Sequence, residues 1–187
     1  MDIQTAIVNR RTIRRFQNRE VSAEILCRLT DLSRNYASGA NLQPIRFVAV
    51  INQSLRDQIF KTLKWAAYLP DFKIGEDQRP MAYVILTADN RIKKNCQFDL
   101  GAAATTLMLA AEGEGLSTCC LASFDSREII SLFEFPEWEE PLLVIALGYP
   151  AQKSRAVPME DSVKYYEDED GCLCVPKRMP ADIVRLY

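Results

Sequence analysis

Four arginines fall within six positions near the start of the chain, in Asn9-Arg10-Arg11-Thr12-Ile13-Arg14-Arg15-Phe16. Such a cluster can form a solvated basic face, hold nucleic acid, or line a pocket for a small phosphorylated ligand. A phosphate monoester carries about −1.5 to −2 charges and three acceptor oxygens. Two or three cationic side chains and one hydroxyl therefore satisfy it. Thr12 sets a hydroxyl inside the cluster. Lys153 and Arg155, which follow Gly148-Tyr149-Pro150, could close the same pocket from the far end of the chain. A net charge of −2 and the lack of a second basic cluster argue against nucleic acid and against an anionic membrane surface.

The chain contains no histidine. That removes Ser-His and Cys-His nucleophilic schemes and histidine metal sites together. Of the six cysteines, Cys119, Cys120, Cys172 and Cys174 could in principle gather around zinc, but both spacings are tighter than in zinc knuckles. Reduced cysteines serving as small apolar side chains, with no metal, are the expectation.

The elements that must position these residues follow from local pattern. A helix is predicted over Asp2 to Val8. A second, capped by Ser22, carries Ile25, Leu26, Leu29 and Leu32 at helical spacing, with Val21 stapled to Leu26. The loop "ASGANLQP" leads into a strand at Phe47 to Ile51, then a helix over Ser54 to Trp65. A strand at Ala82 to Thr87 precedes a helix capped by Asp99. That helix is small or apolar on every side to Ala111, so it must be buried all round. Gly113 and Gly115 end it. A strand at Ser117 to Ala122, a helix opened by Asp125, and an interior strand at Leu142 to Leu147 follow. The polar tail holds a hairpin turning at Asp170-Gly171. Its apolar members, Tyr165, Tyr166, Leu173, Val175, Ile183 and Leu186, are expected to need a partner subunit. The fold class is α+β, one domain over residues 1–187, with residues 151–187 as a C-terminal extension.

Four stretches, in order, resemble the FMN-dependent nitroreductase family. "RRTIRRF" is similar to its Arg-Arg-Ser-x-Arg-x-Phe opening, and "ASGANLQPIRF" to its Pro-Ser-x-x-Asn-x-Gln-Pro-Trp loop. "DLGAAATTLMLAAEGEGLSTCCLASF" resembles its Asp-x-Gly central helix and the strand after it. "LGYPAQKSR" matches its Gly-Tyr-Pro-x-x-Lys-x-Arg ending. The resemblance implies a mainly antiparallel sheet flanked by helices, a buried central helix, and an extension wrapping the partner subunit. It also implies a homodimer with FMN at the interface. Arg10, Thr12, Lys153 and Arg155 would hold the FMN phosphate. Arg11 and Arg14 would lie near the ribityl chain and pyrimidine edge, with Arg14 stabilising negative charge near flavin N1. Ser38 and Asn41 would approach from the other subunit, and Gln43 of the same loop is counted with them. The backbone at Ala122 and Ser123 would face flavin N5. The implied activity is hydride transfer from NADH or NADPH, through the flavin, to a nitroaromatic, a quinone or a similar electron-poor acceptor. A flavin-binding sensor or carrier and a reductive dehalogenase are the alternatives.

Departures from the family pattern are Ala37 for proline, Ile45 for tryptophan, Ala122 for glycine and "TTLML" in the central helix. Ala122 could shift the backbone donor to N5. Trp65, Tyr68 and Phe72 are candidates for an aromatic lid, or for ordinary packing. No apolar run reaches the roughly 18 residues that span a bilayer. The arginine-rich start is compatible with a transit sequence, but it runs on into patterned helices, so a cytoplasmic location is expected.

Overall fold

Eight consecutive side chains of one strand are all buried, which places that strand inside a sheet covered on both faces. The computed structural model describes residues 1–187. It sets β2 (Ala82–Asp89) against β4 (Glu139–Gly148), with β1 (Ile45–Val50) outside β2 and β3 (Ser117–Leu121) outside β4. All three pairings are antiparallel. Successive side chains alternate between faces. Val84, Leu86, Ile145 and Leu147 therefore enter one core, and Tyr83, Ile85, Val144 and Ala146 enter the other. The first core is covered by α2 (Ala23–Ser33), through Leu26 and Leu29, and by α4 (Gln97–Gly113), through Ala103 and Leu107. The second is covered by α3 (Gln53–Thr62) and α5 (Ser126–Phe133), through Ile59 and Ile129.

Helix ends follow the capping chemistry of the sequence. Ser22 accepts a hydrogen bond from the Ile25 N–H and Asp125 from those of Arg127 and Glu128. Asp2 caps α1 (Ile3–Asn9) and Asn52 caps α3 in the same way. Each such cap is worth about 1 kcal/mol. At the end of α4, Gly115 takes a φ of +72°, and the Leu116 N–H returns to the Ala111 carbonyl at 2.9 Å.

Three expectations are corrected. The helix expected to reach Trp65 stops at Thr62, because Leu63 turns extended and pairs with Phe124. Asp99 is not a cap: α4 begins at Gln97, and the Asp99 carboxylate is engaged elsewhere, by Lys93 and Ser38. Nor is α4 buried all round. Its outer face leaves Phe98, Gly101 and Thr105 exposed, since small side chains fit a close neighbour without specifying where it comes from. Part of the tail finds cover in its own chain. β5 (Ser154–Pro158) runs parallel to β7 (Leu173–Lys177), which pairs antiparallel with β6 (Tyr166–Glu167) across the turn at Gly171. Leu173 and Cys174 are buried there, whereas Tyr166, Ile183 and Leu186 lie exposed. No helix is long and apolar enough to cross a membrane.

Candidate functional site

The arginine segment lies along the β3 edge. Thr12 forms a parallel bridge with Thr118, the Ile13 N–H donates to the Thr118 carbonyl at 3.0 Å, and Phe16 bridges Pro150. Ile13 and Phe16 are buried in the core, which fixes the arginines between them. Gly148 is needed here: an added Cβ would stand 3.1 Å from the Phe16 ring. Residues 150–152 close alongside. The Ala151 N–H donates to the Arg15 carbonyl at 3.0 Å, and Gln152 Oε1 accepts the Arg14 N–H at 3.2 Å. The two ends of the chain thus meet at one edge.

The four guanidinium groups have different fates. Arg11 donates to the Val8 and Ile7 carbonyls at the end of α1, where a cation is favoured by the helix dipole. Arg15 pairs with Glu167 at 2.9 Å and lies 4.4 Å from the Phe72 ring centroid. Arg14 is only 9% exposed, stands 4.5 Å from the Tyr165 ring centroid, and has a buried Nε with no partner. No carboxylate lies within 4.0 Å of Arg14 or Arg10. The charge of Arg10 is felt at Glu112 and Cys120. Thr118 Oγ1, beside Thr12, is also buried without a partner. A buried cation without a counter-ion is unfavourable, and this strip can receive acceptor oxygens.

Lys153 lines an open cavity of about 540 Å³ together with Arg15, Lys73 and Gln152. Arg155 is held by Asp168 at 3.0 Å and by Cys174 Sγ at 3.4 Å. Ala122 and Ser123 follow the end of β3, both exposed, and neither N–H donates within the chain. Ala122 is not among the residues with positive φ, so its methyl group meets no backbone strain there. Trp65, Tyr68 and Phe72 disperse: Trp65 packs against Phe60, Tyr68 against Tyr165, and Phe72 beneath Arg15. The four cysteines weighed for zinc do not converge, and no cluster of three metal-binding side chains is present. Burial pushes the Cys119 thiol up to about 12, so it is not a nucleophile at neutral pH.

Ser38, Asn41 and Gln43 sit in a strained loop at the other end of the sheet. Ala40, Asn41 and Gln43 have φ of 51°, 55° and 51°, a region disfavoured without glycine. Ser38 secures the loop by donating to the buried Asp99 and accepting the Gln43 N–H; Lys93 holds the other Asp99 oxygen at 2.7 Å. The Asn41 and Gln43 side chains bond to each other and are exposed. Strain of this kind gathers at binding sites. The loop precedes β1, whereas the arginines line β3, on opposite edges of a four-stranded sheet. Three strand spacings, about 14 Å, separate those edges. One chain does not bring the two groups together.

Sequence reasoning missed Gln152, Thr118, Lys93 and Tyr165. Each acts through tertiary contact and carries no local signal, except that Gln152 lies inside the "LGYPAQKSR" motif and Thr118 inside the stretch that holds the central helix and the strand after it.

Comparison with known proteins agrees with this architecture. The model of the nitroreductase family matches residues 7–149. A protein of Methanothermobacter thermautotrophicus named "Putative NADH dehydrogenase/NAD(P)H nitroreductase" is 30% identical over 159 residues, covering 81% of this chain and 79% of its own. Iodotyrosine deiodinase of Haliscomenobacter hydrossis is 27% identical over 174 residues, 77% of each chain. The fold is also that of an Exiguobacterium sibiricum crystal structure described as a "putative nitroreductase in complex with FMN". The TM-score is 0.69 at 16% identity, covering 81% of this chain and 90% of that one. The chain belongs to the nitroreductase family. By that membership it is an oxidoreductase.

Proposed function

We propose that this oxidoreductase binds FMN between two copies of the chain and moves hydride from NADH or NADPH to a small electron-poor acceptor, such as a nitroaromatic or a quinone. The observation that carries the proposal is Arg14, a buried guanidinium with an orphaned Nε and no counter-ion, on a strip that also holds the unpaired Arg10. FMN fits these donors. Its phosphate needs several cations and a hydroxyl, which Arg10, Thr12, Lys153 and Arg155 can provide. Arg11 and Arg14 remain for the ribityl chain and the electron-rich edge of the ring. When bound, FMN supplies a ring nitrogen, N5, that accepts and returns hydride.

The chain's own residues position and polarise. With FMN bound, Arg14 would supply a fixed cation to the edge of the ring where reduction adds negative charge. The unclaimed N–H groups of Ala122 and Ser123 can donate toward N5. Ser38, Asn41 and Gln43 come from the second copy, because their loop lies at the far edge of the sheet in their own chain. The uncovered face of α4 supports the same pairing, with Phe98 95% exposed. Phosphate binding by Arg155 would compete with the Asp168 carboxylate that holds it in the free chain, so the tail hairpin would tune cofactor affinity.

Reductive dehalogenation of a halogenated aromatic is a second reading, favoured by the likeness to iodotyrosine deiodinase. Steady-state assays of the FMN-loaded protein with NADH and NADPH test both. Consumption of nicotinamide driven by nitroaromatics or quinones supports the first, and halide release from an iodophenol supports the second. A flavin that is never reduced by either nicotinamide leaves only a sensor or carrier.

A further inference from the structure

A second polar pocket lies between α3, the segment around Asn18 and Glu20, and residues 76–83, and it shares no residue with the flavin contacts above. Its volume is about 330 Å³. Two of the residues that line it each bury a polar atom without a partner: the Tyr83 hydroxyl and Arg79 Nε. Tyr83 is 1% exposed, so its ring is fixed by the core while its hydroxyl stays unsatisfied. Burial pushes the phenol up, against the pull of Arg56 and Arg79, so it remains a hydrogen-bond donor at any physiological pH.

Two guanidinium groups line the same pocket, and their charge acts on that phenol. Arg56 is anchored by the Ile51 carbonyl at 3.1 Å and the Pro80 carbonyl at 3.0 Å, and no carboxylate pairs with it. Arg79 lies 4.6 Å from the Phe60 ring centroid, and its oxygens of contact are distant: Asp57 at 3.5 Å and Glu76 at 3.6 Å. Charge-assisted hydrogen bonds close to about 2.7–2.9 Å when they are well made. The floor is thus donor-rich and under-occupied. Around it, Glu20, Asp57 and Glu76 supply negative charge, and Phe60, Pro80 and Met81 supply apolar surface.

We propose that this pocket binds a free α-amino acid with an uncharged side chain. The carboxylate is received by Tyr83, Arg79 and Arg56, the ammonium by the surrounding acids, and the side chain by Phe60 and Met81. A simple dianion is disfavoured by the three carboxylates, and a simple amine by the two arginines. Only a zwitterion meets both signs of charge.

The test is a thermal-shift and calorimetric titration of the flavin-loaded protein with the uncharged standard amino acids, with acetate and methylamine as half-ligands. Ligands that bind only the folded state raise Tm. At least one amino acid should raise it and bind, acetate and methylamine should not, and the flavin spectrum should stay unchanged. Tyr83→Phe keeps the ring and removes the hydroxyl, so it should fold with an undiminished Tm and bind that amino acid about ten-fold more weakly. Arg79→Gln should weaken binding further. No shift with any amino acid, an acetate response equal to theirs, or full-strength binding by Tyr83→Phe would each overturn the proposal.

Discussion

Arg10 and Arg14 share a segment but not a setting, and their substitutions should differ. Arg10 is half-buried and unpaired, suited to an anion. Removing one charge-assisted contact is worth about 1.5–3 kcal/mol, so Arg10→Ala should weaken FMN roughly ten- to hundred-fold. Riboflavin lacks the phosphate, and its binding should barely change in the same fluorescence titration. Equal losses for both flavins would mean that Arg10 does not hold the phosphate. Arg14→Met keeps the apolar stem and removes a buried, unpaired charge, so Tm should hold or rise. Affinity for both flavins should fall, and the reduction potential should drop in a dye-coupled titration. Arg155 is engaged by Asp168 in an exposed pair, of a kind worth about 0.2–1 kcal/mol. Asp168→Asn should therefore tighten FMN by at most about five-fold.

At the scale of elements, the boundary between what the sequence showed and what it hid is physical. Periodicity and caps report on local structure, so α2, α5 and β4 lie close to where pattern places them. The end of α3 depended on Leu63 pairing with Phe124, sixty-one residues on, and nothing near Leu63 announces it. Asp99 shows the same limit: a capping residue by type, it is drawn instead to Lys93 and Ser38. Burial would raise its pKa, but those hydrogen bonds more than offset this and hold the carboxyl below the usual carboxylate range. A depressed folded-state pKa gives stability that is full above the unfolded value, about 3.9, and is lost as pH falls through the lower folded value. Asp89, held by Arg91 and Arg46, shifts the same way. Thermal unfolding should thus be nearly level above pH about 5 and decline below about 4. Asp99→Asn should lower Tm by several degrees at neutral pH and flatten the acid decline. The outer face of α4 makes a separate prediction. Glycine within a helix costs roughly 0.5–1 kcal/mol relative to alanine, yet at Gly101 an added Cβ meets nothing within 4 Å. In the proposed dimer, a close partner helix would account for that glycine. Gly101→Arg should preserve far-ultraviolet circular dichroism while sedimentation shows a monomer without flavin.

For the whole molecule, the candidate site was legible as ordered motifs but not as one place, because its parts lie on opposite edges of the sheet. The arginines follow β3 and the Ser38 loop precedes β1; in the proposed dimer, pairing of two copies would reunite them. The tail was the least legible part. Its parallel strand β5 pairs with residues nineteen positions away, which no local pattern encodes. The central claim, an FMN site that accepts hydride from a nicotinamide, reduces to one measurement: the visible flavin absorption of the purified protein, followed anaerobically while NADH or NADPH is added. The account predicts a yellow protein whose flavin band bleaches rapidly with at least one of the two donors. A colourless protein that cannot be reconstituted with FMN, or a bound flavin that neither donor bleaches, would contradict it.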